Sequence, residues 1–325
     1  MSVFGVSPRE LTAVSADGAP LHVEVHGPEA GPAVVLAHGW TCSTAFWAAQ
    51  IRDLAADHRV VVYDQRGHGR TPPSAVCSTD VLADDLVAVL GATLAPGEKA
   101  VIVGHSMGGM TVLAAAARDA FREHAAAVLL CSTGASRLVA EATVVPIRPG
   151  RMRGWLTRQF LGSKAPLGPV TPVAKAILKY ATMGAGSAPH LVERCARIVH
   201  ACPRRVRHTW GQVLSLLDLD DGIRELSVPT AVVVGTGDRL TPPVHARRIA
   251  AGLPNCVGLT ELAGLGHMTP VEAPELVTAR IRELVTTYAP YTPKAPHATH
   301  IPNITHTPNS THTTHTPDTQ VKEGA

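Results

Sequence analysis

KAVIVGHSMGGMTVLAAAARD, Lys99–Asp119, is the stretch that decides the fold. It begins as KAVIVG, a short apolar run rich in β-branched residues, of the kind that forms a buried strand. It ends as MGGMTVLAAAARD, which reads as a helix because alanine and its neighbours carry high helical propensity. Between them lies Gly104-His105-Ser106-Met107-Gly108, a G-x-S-x-G pentapeptide. A sharp strand-to-helix turn needs glycine beside the serine, where the backbone is strained and the chain packs closely. Such a turn lifts the serine hydroxyl above the sheet. It also aims the positive end of the helix at the hydroxyl, which favours an oxyanion there.

Outward from this turn, the same alternation repeats. ELTAVSA and PLHVEVHG alternate polar and apolar residues around Asp17-Gly18, the signature of a hairpin. Strands are then expected at 33–37 (AVVLA), 59–64 (RVVVYD) and 125–133 (AAAVLLCST), with further ones at 229–238 and in CVGLTELAG. Helices are expected over about 43–55, over 79–94, in PVHARRIAAGL and in PELVTARIRELVTTY. Helices alternating with strands imply βαβ units and a mostly parallel twisted sheet flanked by helices. The alternation fails over 134–227, which reads as a helical insertion. The expected organisation is a core from 1–133 and 228–289, a helical cap from 134–227, and a Thr/Pro/His-rich tail from 290–325. With nine Thr, six Pro and five His and no apolar period, the tail is expected to be disordered.

A serine hydroxyl needs a base to take its proton. His267, in AGLGHMTPVEAP, falls between the last strand and the last helix, at the edge of the sheet where α/β sites form. A histidine in that role needs a carboxylate to orient it, and Asp238 ends the strand after the insertion. The stretch Cys131–Gly134 after the preceding strand holds no carboxylate, which strengthens Asp238. The oxyanion donors expected are the backbone N–H of Met107, just after the serine, and that of Trp40, in the His38-Gly39-Trp40 loop after AVVLA. His105, His38 and His68 are weaker base candidates, and Asp64 reads as structural.

The chain order Ser106, Asp238, His267 resembles that of the α/β-hydrolase superfamily, and the likeness runs over about residues 10–289. The family's D-x-R-G-x-G-x-S stretch reads here Asp64-Gln65-Arg66-Gly67-His68-Gly69-Arg70-Thr71, with Thr in place of Ser. That resemblance implies a structural role for this stretch and a helical lid between the sixth and seventh strands. In style the chain looks like lipases, esterases and cofactor-free haloperoxidases. Relatives such as haloalkane dehalogenases and epoxide hydrolases use Asp as nucleophile. Ser106 at that position implies an acyl-enzyme and no cofactor. The expected activity is hydrolysis of a carboxylic ester, lactone or thioester. The triad leaves open C–C bond hydrolysis and perhydrolase chemistry; a non-catalytic ligand-binding protein is the reading from a different class.

Composition bounds the rest. Charged residues make up 17% of the 325 and the net charge is +3, which gives no reason to expect nucleic acid as a partner. No apolar run is long enough for a membrane span. MSVFGVSPRE lacks a basic-then-apolar leader pattern, so the cytoplasm is the expected location. The six cysteines form no CxxC pair, and neither a disulfide framework nor a metal site is expected. Gly235-Thr236-Gly237 lacks the third glycine of a nucleotide loop. The charge is nonetheless uneven. Residues 134–217 hold thirteen Lys or Arg against only Glu141 and Glu193. Two readings follow. The cations cover apolar surface and pair with the acidic remainder, or they attract an anion: an anionic substrate or a lipid surface contacted peripherally.

Overall fold

In the computed structural model, which describes residues 7–289, the decisive stretch forms β5 of an eight-stranded sheet and the helix that leaves it. In chain order the elements begin with β1 (Arg9–Val14), β2 (Pro20–His26) and β3 (Ala33–Ala37). A 3₁₀ turn (Thr44–Trp47), α1 (Ala48–Leu54), β4 (Arg59–Tyr63) and α2 (Thr79–Thr93) follow. Next come β5 (Ala100–His105), α3 (Met107–Ala115), α4 (Asp119–His124) and β6 (Ala125–Cys131). Between β6 and β7 (Thr230–Gly235) the chain passes through α5 (Leu138–Glu141), α6 (Arg151–Leu161), α7 (Pro172–Thr182), α8 (Pro189–Ala201), α9 (Arg204–Ser215) and α10 (Asp220–Glu225). The remainder is α11 (Pro243–Gly252), β8 (Cys256–Leu262), α12 (Thr269–Glu272) and α13 (Pro274–Tyr288). The tail expected to be disordered lies outside the described residues.

The sheet order is β1-β2-β4-β3-β5-β6-β7-β8. The hairpin β1–β2 is antiparallel and pairs antiparallel to β4; every later pairing is parallel. Parallel strands bury both faces, and β3, β4, β5 and β7 are buried at every position. Their side chains alternate between two cores. Val35, Val61 and Ile102 face the layer of α2, α3 and α11, with Leu86, Val112 and Ile249. Val34, Val62 and Val103 face the opposite layer of α1 and α13, with Ile51, Ile281 and Leu284. Each such fully buried aliphatic side chain contributes roughly 1.5–3 kcal/mol.

Local chemistry sets the helix ends. Ser78, extended at φ −155°, caps α2 by accepting the Val81 N–H at 3.2 Å. Thr171 does the same for α7 through the Ala174 N–H at 3.1 Å, with Pro172 as first helical residue. One expected helix is divided: MGGMTVLAAAARD is helical only to Ala115. Arg118 turns extended and Asp119 opens α4. The redirected chain puts Phe121 in the core beside Ala115, a packing gain that overrides local alanine propensity.

Candidate active site

Ser106 sits between β5 and α3 with φ 52° and ψ −117°, a conformation non-glycine residues rarely adopt. Its neighbours hold it there. The Ser106 N–H donates to Cys131 O at 3.0 Å, and Thr133 Oγ1 donates to Ser106 O at 2.7 Å. The glycines on either side are demanded by contact: a Cβ on Gly104 would lie 2.5 Å from Gly108 O, and one on Gly108 2.1 Å from Ala37 O. That close approach brings the start of α3 against the end of β3, next to the Trp40 loop.

Asp238 lies three residues past β7 and His267 in the loop after β8. Both are buried, and His267 Nδ1 is 2.8 Å from Asp238 Oδ2. An Nδ1–H donated to the carboxylate leaves the Nε2 lone pair free. Asp238 also accepts the Leu240 and Thr241 N–H groups, each at 2.9 Å, and the Thr241 hydroxyl at 2.8 Å. The His267 loop is held from the insertion as well. The His267 N–H donates to Thr182 O at 2.8 Å, and Glu272 accepts N–H groups from both Gly184 and Gly266.

Ser106 and His267 open into one cavity of about 340 Å³, with Trp40 and Thr41 on its wall. The rest of that wall comes largely from the insertion and is mostly apolar, with Leu138, Leu161, Ile177, Leu178 and Leu214. Met107 opens α3 and is fully buried. Among the described residues neither its N–H nor that of Trp40 meets an acceptor.

A buried polar network holds the Trp40 loop. His38 Nδ1–H donates to Gly39 O at 2.8 Å, and His38 Nε2 accepts the Gln65 N–H at 3.0 Å. His68 Nε2 accepts the Thr41 N–H at 3.2 Å, where Thr41 has φ 63°. Asp64 accepts the N–H groups of Thr44 and Arg70, both at 2.8 Å, while burial raises its carboxyl above the usual range. Arg66 pairs with Asp85 at 2.6 Å and Asp17 at 2.5 Å. The 64–71 stretch therefore braces this loop. His105 Nε2–H donates to His267 O at 2.9 Å while the ring stacks on Phe46 at 4.5 Å, so the ring is held between the His267 loop and Phe46.

These histidines predict an acid-labile fold. Burial depresses His38 to about 4 and His68 to about 3, and pushes His105 well below its ordinary 6.5. All three are neutral when folded near neutral pH but take up protons near 6.5 once unfolded. Stability is therefore complete above about pH 7 and falls as pH drops below 6.5. By pH 5.5 the loss is about 4 kcal/mol, or roughly 10 °C in Tm. Thermal melts at pH 7.5 and 5.5 measure it, and equal melting temperatures would refute it.

Two contributors were missed from the sequence. Thr241 braces Asp238, and its signal was a threonine three residues after an aspartate, the spacing at which side chain and backbone bond locally. Glu272 ties the His267 loop to the insertion over 88 residues of sequence separation from Gly184, for which no local signal exists.

A mostly parallel sheet with a serine on a strand-to-helix turn and a His–Asp pair at its edge is the frame of a hydrolase. The chain belongs to the alpha/beta hydrolase family, whose model matches residues 34–280. It is 32% identical to the protein named carbamate hydrolase RutD of Caulobacter segnis, over 82% of this chain and 95% of that relative. Among solved structures it resembles a thermophilic esterase from Thermogutta terrifontis (26% identity, TM-score 0.68, 86% of this chain and 98% of that one). The enol-lactonase of Burkholderia xenovorans shares the fold (23% identity, TM-score 0.68, 85% and 100%). The protein is a hydrolase.

Proposed function

We propose that this hydrolase cleaves an ester-like bond of a substrate with an apolar acyl or alkyl group, through an acyl-enzyme on Ser106. The observation that carries the reading is the cavity, where Ser106 and His267 meet a mostly apolar wall. Ser106 Oγ attacks the carbonyl carbon while His267 Nε2 takes its proton. The oxyanion is received by the N–H groups of Met107 and Trp40, each worth about 10²–10³-fold in rate. His267 then protonates the departing alkoxide. Water, deprotonated by the same nitrogen, attacks the acyl-enzyme and returns Ser106. Asp238 holds the imidazole in the reactive tautomer and offsets its charge. Helices α5–α10 form the cap whose inner face selects the substrate. Six unpaired cysteines are in keeping with a reducing compartment, the cytoplasm. Likeness to a carbamate hydrolase supports a second reading, a carbamate carbonyl in the same site.

A series of p-nitrophenyl esters tests the proposal, with a p-nitrophenyl carbamate beside them. Each added methylene that enters the wall is expected to raise kcat/KM about fourfold, from roughly 0.8 kcal/mol of burial, until the cavity is full. A fluorophosphonate probe should label Ser106. A flat or falling series from acetate onward, or no labelling, would overturn it. A carbamate turned over faster than every ester would favour the second reading.

A further inference from the structure

The outer surface of the insertion is as unusual as its inner wall. Of the thirteen large apolar side chains exposed among the described residues, eight fall between Ile147 and Tyr180. Isolated apolar residues on a surface are ordinary, but such a concentration marks an interaction site. Met152, Trp155 and Phe160 project from α6, with Trp155 57% exposed. On α7, Val173, Ile177 and Tyr180 follow i, i+4, i+7 spacing, so one face of the helix is an apolar stripe, with Val173 68% exposed. Phe160, Ile177 and the exposed Leu167 also line the catalytic cavity, which places the patch at its mouth.

Charge identifies the occupant. Residues 142–192 contain seven Lys or Arg and no Asp or Glu. Of the thirteen cations of residues 134–217 only Arg137, Lys175 and Arg197 form ion pairs among the described residues, each with an acid of the insertion itself. Among the described residues, the expected pairing of these cations with the acidic remainder is therefore not found. Arg148, Arg151, Arg158 and Lys164 are exposed beside the apolar side chains, with no carboxylate partner among the described residues. A second copy of this chain docked face to face would set these cations against themselves. A bilayer bearing anionic headgroups supplies both the apolar interior and the opposite charge, and tryptophan favours that boundary. Among the described residues no helix is long and apolar enough to cross a membrane, so contact would be peripheral.

We infer that the α6–α7 face docks on an anionic lipid surface, with the cavity mouth turned toward the bilayer. The inference goes beyond the proposed chemistry and does not depend on Ser106 being a nucleophile.

Flotation of the full chain tests it, using vesicles of phosphatidylcholine alone and with added phosphatidylglycerol, at low and high salt. The protein, and equally its Ser106→Ala variant, should float with the phosphatidylglycerol vesicles at low salt and be released by high salt. Bound protein should show a blue-shifted tryptophan emission that Trp155→Ser removes. Combined Met152→Ser, Trp155→Ser and Val173→Ser should abolish flotation. None of the three lines the cavity, so turnover of a short water-soluble ester should stay within about twofold. Combined Arg148→Glu, Arg151→Glu and Arg158→Glu should weaken partitioning roughly a hundredfold. Absence of flotation, or equal salt-insensitive flotation with phosphatidylcholine alone, overturns the inference. So does a dimer in sedimentation velocity that the three serine substitutions dissolve, since a second copy would then be the occupant.

Discussion

Ser106→Ala should lower kcat for a p-nitrophenyl ester by about 10⁶-fold, the scale seen when a triad nucleophile is removed from other serine hydrolases. The size follows from the chemistry. In the proposed mechanism, removing Oγ leaves no atom to carry the acyl group, and the remaining rate would come from binding and oxyanion donors acting on water. His267→Ala should cost about as much, because an unassisted hydroxyl is a weak nucleophile at neutral pH. The two losses should not add in the double variant, since the members of a catalytic triad act as a unit. Structure should survive, because alanine is smaller than serine and keeps the Ser106 N–H bond to Cys131 O. Steady-state kinetics and covalent labelling measure this. Turnover within tenfold of the unmodified protein in either single variant would remove Ser106 or His267 from the mechanism.

Asp238→Asn should lower kcat by about 10⁴-fold with little change in melting temperature. Asparagine matches the carboxylate in shape, and its carbonyl oxygen can keep the two backbone bonds from Leu240 and Thr241, each 2.9 Å in the parent. The other position becomes an NH₂ donor facing His267 Nδ1, where the carboxylate oxygen lay at 2.8 Å. A donor there selects the tautomer with the proton on Nε2. That nitrogen can then no longer accept the serine proton. The result separates positioning from packing: a merely structural aspartate would lose stability, whereas this one should lose rate. Near-normal kcat with a lowered Tm would show Asp238 to be only a brace of its loop.

The expected acid lability and the proposed chain-length preference rest on different parts of the molecule. The former comes from imidazoles sealed beneath the Trp40 loop, the latter from the cavity wall that the insertion supplies.

Residues close in sequence made much of this protein legible without a structure. The period-two hairpin around Asp17, the unbroken apolar runs of the parallel strands and the glycine–serine turn at 104–108 each follow from neighbouring residues alone. Ser106, Asp238 and His267 could be nominated because each falls just past a strand, and strand ends in parallel sheets share one edge. The meeting of His267 with Asp238 at 2.8 Å, 29 residues apart, was decided by tertiary structure. So was the sheet order, in which β3 lies between β4 and β5, because strand neighbours are chosen by pairing between distant segments. The break after Ala115 belongs with these: local propensity favoured one helix, and burial of Phe121 favoured two. Within the insertion, the sequence showed an excess of cations but not their partners. Only the packed helices show most of those cations without carboxylate partners among the described residues, beside an exposed apolar face. A helical period reveals which residues share a face; which face meets the protein and which meets its surroundings depends on contacts that no local pattern contains.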